Sequence, residues 1–327
     1  MTGLGIAGAT CGAVADLVQA HVDATAGIIG LHCGAVRIGG NLVAFIGTYR
    51  AGKSTLVTRL GMEEGCALFC DDVLPVDAEG TATTLGVQPR LRLPLPEGVT
   101  PAFRDAVAQR LSISDHRYGH VSCPDQAAFG AQAPLAAMVV LYRQEGAHAR
   151  LHRLETSQAA AFLIRQNIAD PGDPDAHYDR ILNLAEGLIC LTLVYSDLEE
   201  AVALIKSTLG AKGTPHLHAR VGPPLPLDND EEEEALPAEF GAVYSRTGDV
   251  ITRRIGTDTF LWQMGGRNFF SLNVIGGAIW SLLEMPQSGT DIAATLHEIF
   301  PETPSKAINN DIAKLLGQLT GRGLVDS

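Results

Sequence analysis

The stretch Asn41–Leu60, NLVAFIGTYRAGKSTLVTRL, constrains this chain more than any other. An apolar run, Leu42–Ile46, reads as a buried strand. Gly47–Gly52 is a loop bounded by glycines, and Lys53-Ser54-Thr55 opens a helix. The pattern is G-x-x-x-x-G-K-S, a phosphate-cradling loop. Glycines let the backbone curl so that successive N–H groups point at phosphate oxygens. The helix N-terminus behind them adds its dipole to the same spot. Lys53 is then placed to reach the β- and γ-phosphates, and the Ser54 hydroxyl to ligate Mg²⁺. The expected nucleotide cradle is Gly47, Thr48, Tyr49, Arg50, Ala51, Gly52, Lys53, Ser54 and Thr55. A strand–turn–helix that needs glycine only to turn is the plainer alternative.

The sequence around the loop narrows the class. With 327 residues the chain has room for two domains, at roughly 150 residues each. A net charge of −13 argues against nucleic acid as a general partner. Six scattered cysteines without a C-x-x-C pair fit a reduced, cytoplasmic protein with buried thiols, not a disulfide framework or zinc site. No apolar run reaches a membrane span, and the N-terminus lacks the pattern of a signal peptide. The expected compartment is the cytoplasm, with no membrane partner, and a homo-oligomer is compatible with all of this.

Strand and helix signals alternate through the first two thirds of the chain, which predicts an α/β domain over residues 1–209 with a central sheet and flanking helices. Ile28–Ile38 reads as a strand carrying His32, turned by Gly39-Gly40 into the strand before the loop. Ala67–Cys70 is a strand ending in Asp71-Asp72. Carboxylates at that end of a strand, beside a phosphate loop, are where a nucleotide-bound Mg²⁺ needs them. One can hold the metal, and the other can take a proton from an attacking hydroxyl. A solvated turn that merely favours Asp is the alternative. In Leu85–Pro96, Arg90 and Arg92 share one strand face and either meet phosphate or face water. Ser114–Cys123, with His116, Arg117, Tyr118 and His120, is either a substrate contact or a solvated hairpin tip. Residues 210–240 are rich in Pro and acidic residues and read as an extended linker. Residues 241–327 then show three short strands followed by three amphipathic helices, a small α+β, winged-helix-like domain without a catalytic constellation. Its sheet edge beside an apolar helix suits an extended peptide as an added strand.

Two family resemblances attach to these residues. Residues 28–205 resemble the HPr serine kinase superfamily, in its shorter branch of HPr-kinase-related proteins. His32 precedes Gly47 in the register LH-x-x-x-V-x-I-x-G-x-x-V, and Asp71-Asp72 stand in CDDVLPV. The resemblance implies an Mg²⁺-ATP-dependent serine kinase. Asp72 would be the general base, Asp71 would lie near the metal with Ser54, and His32 would orient a carboxylate or phosphate. Lys53 completes the implied catalytic set, and Arg90, Arg92 and Arg117 are candidate phosphate or substrate contacts. Tyr49 and Arg50 stand where that family carries small residues or glycine, which implies either a different curl or an arginine aimed at the phosphates. The glycine-rich signature of the bifunctional kinase/phosphorylases is not recognisable after Asp72.

Residues 241–327 are similar to the PqqD-like family, which recognises leaders of ribosomally made, modified peptides. The match lies in FFSLN…IW (Phe269–Trp280), the D-I-A-x-x-L helix and a closing L-x-x-L-x-x-x-G-L-V. It implies leader binding through Phe269, Phe270 and Leu272 on the third strand, and Leu315, Leu316 and Leu319 on the last helix. A winged-helix-like packing or dimerisation module is the alternative. The combined expectation is a kinase that phosphorylates a hydroxyl of a precursor peptide, a lasso-type precursor being one such substrate. The rivals are a regulatory serine kinase of a folded protein and a degenerate nucleotide-binding module that delivers peptides.

Overall fold

The computed structural model describes residues 5–48, 51–210, 221–225, 238–263 and 269–326. They fall into two units, Met1–Pro226 and Leu227–Ser327. The first begins with α1 (Ile6–Asp23). The apolar run that follows forms two strands, β1 (Ile29–His32) and β2 (Gly34–Ile38), where the sequence reading expects one. Gly39 and Gly40, both at positive φ, turn β2 into β3 (Asn41–Ile46), and α2 (Lys53–Leu60) follows the loop. Next come β4 (Cys66–Cys70), β5 (Val73–Val76) and β6 (Thr81–Thr83).

The expected strand over Leu85–Pro96 shrinks to β7 (Arg90–Arg92). Pro89, Pro94 and Pro96 around it lack the N–H that a ladder needs. After α3 (Pro101–Arg110), capped by Thr100, β8 (Leu111–Ser114) and β9 (Tyr118–Val121) form a hairpin. It pairs with β7 as a separate small sheet in the order β7-β9-β8.

The unit closes with β10 (Gln132–Arg143), β11 (Arg150–Arg153), α4 (Thr156–Gln166), α5 (Pro174–Gly187), β12 (Ile189–Tyr195), α6 (Leu198–Leu209) and β13 (Val221–Gly222). Asp173 and Asp197 cap α5 and α6 through their side chains. Glu155 stands at the N-cap of α4 without such a bond.

The long strand β10 is the axis. Its residues from Leu135 onward pair in parallel with β3 on one side and β12 on the other. Its first residues, Gln132–Pro134, pair with β6, which leads through β5 to β1. Being covered on both faces, β3 and β10 read as unbroken apolar runs, not as alternating ones. Val139, Phe45, Leu56 and Val57 are fully buried in the core between this sheet and α2. The parallel pairing puts the C-terminal end of β3, and with it the loop Gly47–Gly52, at the sheet edge that ligands use in α/β folds. Val221–Gly222, inside the stretch expected as linker, adds to β11.

In the second unit, β14 (Val243–Arg246) precedes the three expected strands, β15 (Val250–Ile255), β16 (Asp258–Gln263) and β17 (Phe269–Leu272). Then come α7 (Val274–Leu282), β18 (Gln287–Ser288), α8 (Gly289–Ile299), α9 (Ser305–Gly321) and β19 (Val325–Asp326). Asn273 caps α7, and Ser288 with Asp291 forms a capping box on α8. Two small sheets result, β15-β16-β17 and β18-β14-β19. The second was not anticipated, because its outer strands are two residues each and carry no alternation. Trp280 anchors the core and donates from Nε1 to Thr252 Oγ1 at 3.0 Å. Ala238 and Phe240, at the end of the expected linker, also pack on this core.

Candidate functional site

The geometry starts from two strands that bend at the same place. β1 pairs antiparallel with β5, ending at His32 opposite Val73, and β2 pairs with β4, with Ala35 opposite Cys70. Between them Cys33 N–H donates to the Asp72 carbonyl at 3.1 Å. His32 and Asp71-Asp72 therefore sit where both strands leave one sheet for the other. Gly34 makes the bend possible, since a Cβ there would stand 2.6 Å from Val57 Cγ1 of α2. Asp72 has φ +87°, unusual for any residue but glycine, and observed strain of this kind concentrates at functional sites.

That backbone turns the two carboxylates apart. Asp72 is half-exposed, with Oδ1 at 3.4 Å from His32 Nε2. The His32 contact holds the Asp72 carboxyl below its usual range, aided by the charges of Arg90 and Lys53 and opposed by partial burial. Asp71 is 5% exposed, and burial pushes it up to about 6 against the Arg90 N–H, which donates to Oδ2 at 3.1 Å. The nearby Asp72 charge raises it further, while the Ser54 hydroxyl, donating to it, holds it down. Paired carboxyls pushed in opposite directions are what a division of labour requires.

The phosphate loop is held from both ends. Gly52, at φ +92°, caps α2, and Tyr195 at the end of β12 donates from its hydroxyl to the Ala51 carbonyl at 3.0 Å. A Cβ on Gly52 would stand 2.9 Å from that hydroxyl, so glycine is needed twice over. Lys53 Nζ donates to the Gly47 carbonyl at 2.9 Å, across the loop. α2 is fixed to α6 by Arg59, whose guanidinium grips Glu199 at 2.7–3.1 Å and Glu63 at 2.6 Å. Tyr49 and Arg50 lie outside the described residues.

Two clefts flank the loop. The first, of about 360 Å³, is lined by Cys11 and Val14 of α1, Ser54, Asp71, Asp72, Val87, Gln88, Arg90 and His120. The second, of about 380 Å³, lies against Gly52 and Thr55, with Pro96, Val99, Arg143, Tyr195 and Leu198 among its walls. Of the three candidate arginines only Arg90 lines the first cleft. It stacks over Tyr118 at 4.9 Å and donates to Cys11 Sγ. Arg92 pairs with Tyr118 farther along the strand and faces outward, and Arg117 sits at the β8–β9 tip beside the Tyr118 ring. Arg92 and Arg117, expected as phosphate or substrate contacts alongside Arg90, lie outside the lining of this cleft. Of the residues read as either a substrate contact or a solvated hairpin tip, His120 lines the cleft. α1 was not put forward as part of the site, because nothing in its small, apolar sequence marks it as a cleft wall.

In the second unit β17 is an edge strand of its sheet, as β15 is on the other side, among the described residues. Phe269 packs on Trp262 with ring centres 4.6 Å apart, and Arg322, the C-cap of α9, lies over Phe270 at 4.6 Å. Leu316 and Leu319 are fully buried, and Leu272 is nearly so. They hold α9 and β17 in place and cannot touch a leader directly, which corrects that expectation. Leu315 is partly buried at the core's margin. Among the described residues no group of three or more His, Cys, Asp or Glu could hold a metal, and no helix is long and apolar enough to cross a membrane.

Comparison with known proteins places residues 258–325 in a match with the family model described as Coenzyme PQQ synthesis protein D (PqqD). No curated protein matches the chain. Among solved structures, TbiB1 in complex with the TbiA(beta) leader peptide is similar at 20% identity, over 25% of this chain and 95% of that one, with TM-score 0.24. The PqqD truncation of Methylobacterium extorquens PqqCD, titled a stand-alone RiPP recognition element, is similar at 17% identity over 28% and 95%, with TM-score 0.25. The Hpr(Ser) kinase/phosphatase from Coxiella burnetii is similar at 12% identity over 54% and 90%, with TM-score 0.26. The family-model match thus gives the chain a PqqD-like segment over residues 258–325.

Proposed function

We propose that the chain is an ATP-dependent kinase that phosphorylates a hydroxyl, serine being the expected acceptor, of a ribosomally made precursor peptide held by its C-terminal unit. The observation that carries the kinase reading is the splitting of Asp71 from Asp72 at the mouth of a phosphate loop. Asp72 is exposed, ionised and oriented by His32, so it can take a proton from an incoming hydroxyl. Asp71 is buried and already accepts a hydrogen bond from the Ser54 hydroxyl, so two hard oxygen groups of the kind Mg²⁺ prefers stand side by side.

The residues present fit a nucleotide and its metal. Backbone N–H groups of Gly47–Thr55 and Lys53 would cradle the phosphates, and Ser54 with Asp71 would hold Mg²⁺. The second cleft offers apolar walls for the nucleoside. Bound Mg²⁺-ATP supplies the γ-phosphoryl group and neutralises part of its charge. In the transfer the acceptor oxygen forms the new P–O bond, the bond to the bridging β–γ oxygen breaks with its electrons leaving on ADP, and the hydroxyl proton passes to Asp72. His32 holds the Asp72 carboxylate at the angle this needs.

The PqqD match over residues 258–325 supports a leader-binding role for the second unit. An extended leader would add to β17 as a strand, with Phe269, Phe270 and Leu315 beside it. The proposed boundaries are a kinase domain over 1–209 and a recognition domain over 241–327, in a cytoplasmic protein.

The test is to incubate the full chain with Mg²⁺-ATP and a leader-bearing precursor and to follow the peptide by mass spectrometry. The expected result is gain of phosphate with the intact protein and its loss, by about 10²-fold or more, in Asp72→Asn. Equal transfer by Asp72→Asn would remove Asp72 from the mechanism, and no transfer to any peptide would favour the delivery-module reading.

A further inference from the structure

The polar side chains lining the first cleft are partnered within the protein, with one exception among the described residues. Ser54 and Asp71 share a hydrogen bond, and Asp72 meets His32. Gln88 donates to Ser122 Oγ at 2.7 Å and accepts from Ser112 Oγ at 2.5 Å. Arg90 donates to Cys11 Sγ. His120 is 6% exposed, and its Nε2 has no hydrogen-bond partner. A buried nitrogen left unpaired costs free energy, so an orphan on a cleft wall calls for an explanation.

The pairing of β7 with β9 sets His120 directly opposite Arg90. Arg90 is itself poorly served: a thiol sulfur is a weak acceptor, whereas guanidinium binds phosphate oxygens strongly. These two groups share a cleft with Asp72, the carboxylate proposed to receive the hydroxyl proton. The nucleotide's own phosphates are provided for by the loop and Lys53. What the loop does not provide for is the phosphate once it belongs to the acceptor.

We propose that Arg90 and His120 form a phosphomonoester subsite on the acceptor side, with His120 Nε2–H and the guanidinium each donating to an oxygen of the phosphorylated hydroxyl. A phosphate seated there takes the place of the Cys11 sulfur on Arg90. The subsite deepens the kinase reading and rests on it, and it makes the enzyme a binder of its own product. A phosphorylated peptide then competes with the acceptor and not with the nucleotide.

The experiment titrates O-phosphoserine, and separately inorganic phosphate, into the full chain without nucleotide, read by ³¹P NMR line broadening. The expected result is O-phosphoserine binding that weakens about 10-fold or more in His120→Ala and in Arg90→Gln, from loss of one charge-assisted bond. His120→Gln, whose amide keeps a donor, should restore binding to within about 3-fold, and Lys53→Ala should leave it unchanged. Unaltered binding in His120→Ala overturns the subsite. So does loss in Lys53→Ala alone, which puts the phosphate in the loop, and so does binding of inorganic phosphate without O-phosphoserine. If His120→Ala does not fold, Arg90→Gln and His120→Gln decide the matter alone. Binding kept by a protein that transfers no phosphate sinks the kinase reading and leaves the subsite standing.

Discussion

Asp72 holds the site's clearest conflict between stability and use. Its left-handed backbone costs of order 1–3 kcal/mol. Asp72→Gly removes that strain and gives back some of the gain through a looser unfolded chain. The urea midpoint should hold or rise while phosphoryl transfer falls by about 10²-fold or more. A midpoint that drops by the equivalent of about 2 kcal/mol would mean that the His32 contact outweighs the strain. Asp71 is legible in acid titration. Its folded value of about 6 lies above the ordinary 3.8, so folding favours its protonated form. Its contribution is therefore present below about pH 4 and is lost as pH rises through about 6. In the proposed role Asp71 would hold Mg²⁺ in its ionised form, so added Mg²⁺ should raise the melting temperature above about pH 6 and do little at pH 5. Differential scanning with and without the metal checks both signs. The sequence made the pair of carboxylates visible, but not which would be buried, because that depends on a backbone angle that no residue type announces.

At the scale of elements, the α2–α6 clamp positions the loop. Arg59 is 18% exposed on its side chain and satisfies two carboxylates, while Lys206 reaches Glu63 at 2.5 Å. Arg59→Ala leaves the half-buried Glu199 without its cation and Glu63 with Lys206 alone, and should cost about 2 kcal/mol, measured by chemical denaturation. Nucleotide affinity should weaken as well, since α2 carries Lys53 and Ser54. Elements built from local pattern were readable in advance: the strand–loop–helix at Asn41–Leu60, α6 from Leu198 to Leu209, and α7 behind Asn273. Those built from distant pairing were not. β1 and β2 run through one apolar stretch, and their break at Cys33 comes from the partner strand bending at Asp71-Asp72. β7, β14, β18 and β19 are two to four residues each and exist only through what they pair with.

For the whole molecule, the proposed function puts chemistry and recognition on separate units of one chain. A leader bound by the second raises the local concentration of the core peptide to roughly millimolar for a short tether. Cutting an inserted protease site between Pro226 and Ala238 should therefore slow phosphorylation of a leader-bearing peptide and leave a leaderless one unaffected. Equal slowing of both would point to damage in the kinase unit instead. Within that unit, β10 belongs to both sheets that meet at the site: its start pairs with β6, and the rest lies between β3 and β12. The corner bearing His32 and Asp72 thus cannot keep one wall and shed the other. Such sharing predicts one cooperative foldon. In hydrogen–deuterium exchange, amides from Val139 to Leu141 should be the last to exchange. Those of β1, β3 and β12 should follow with a common opening free energy. The machinery would then be lost all at once on denaturation, with no partly active intermediate for a protease to catch.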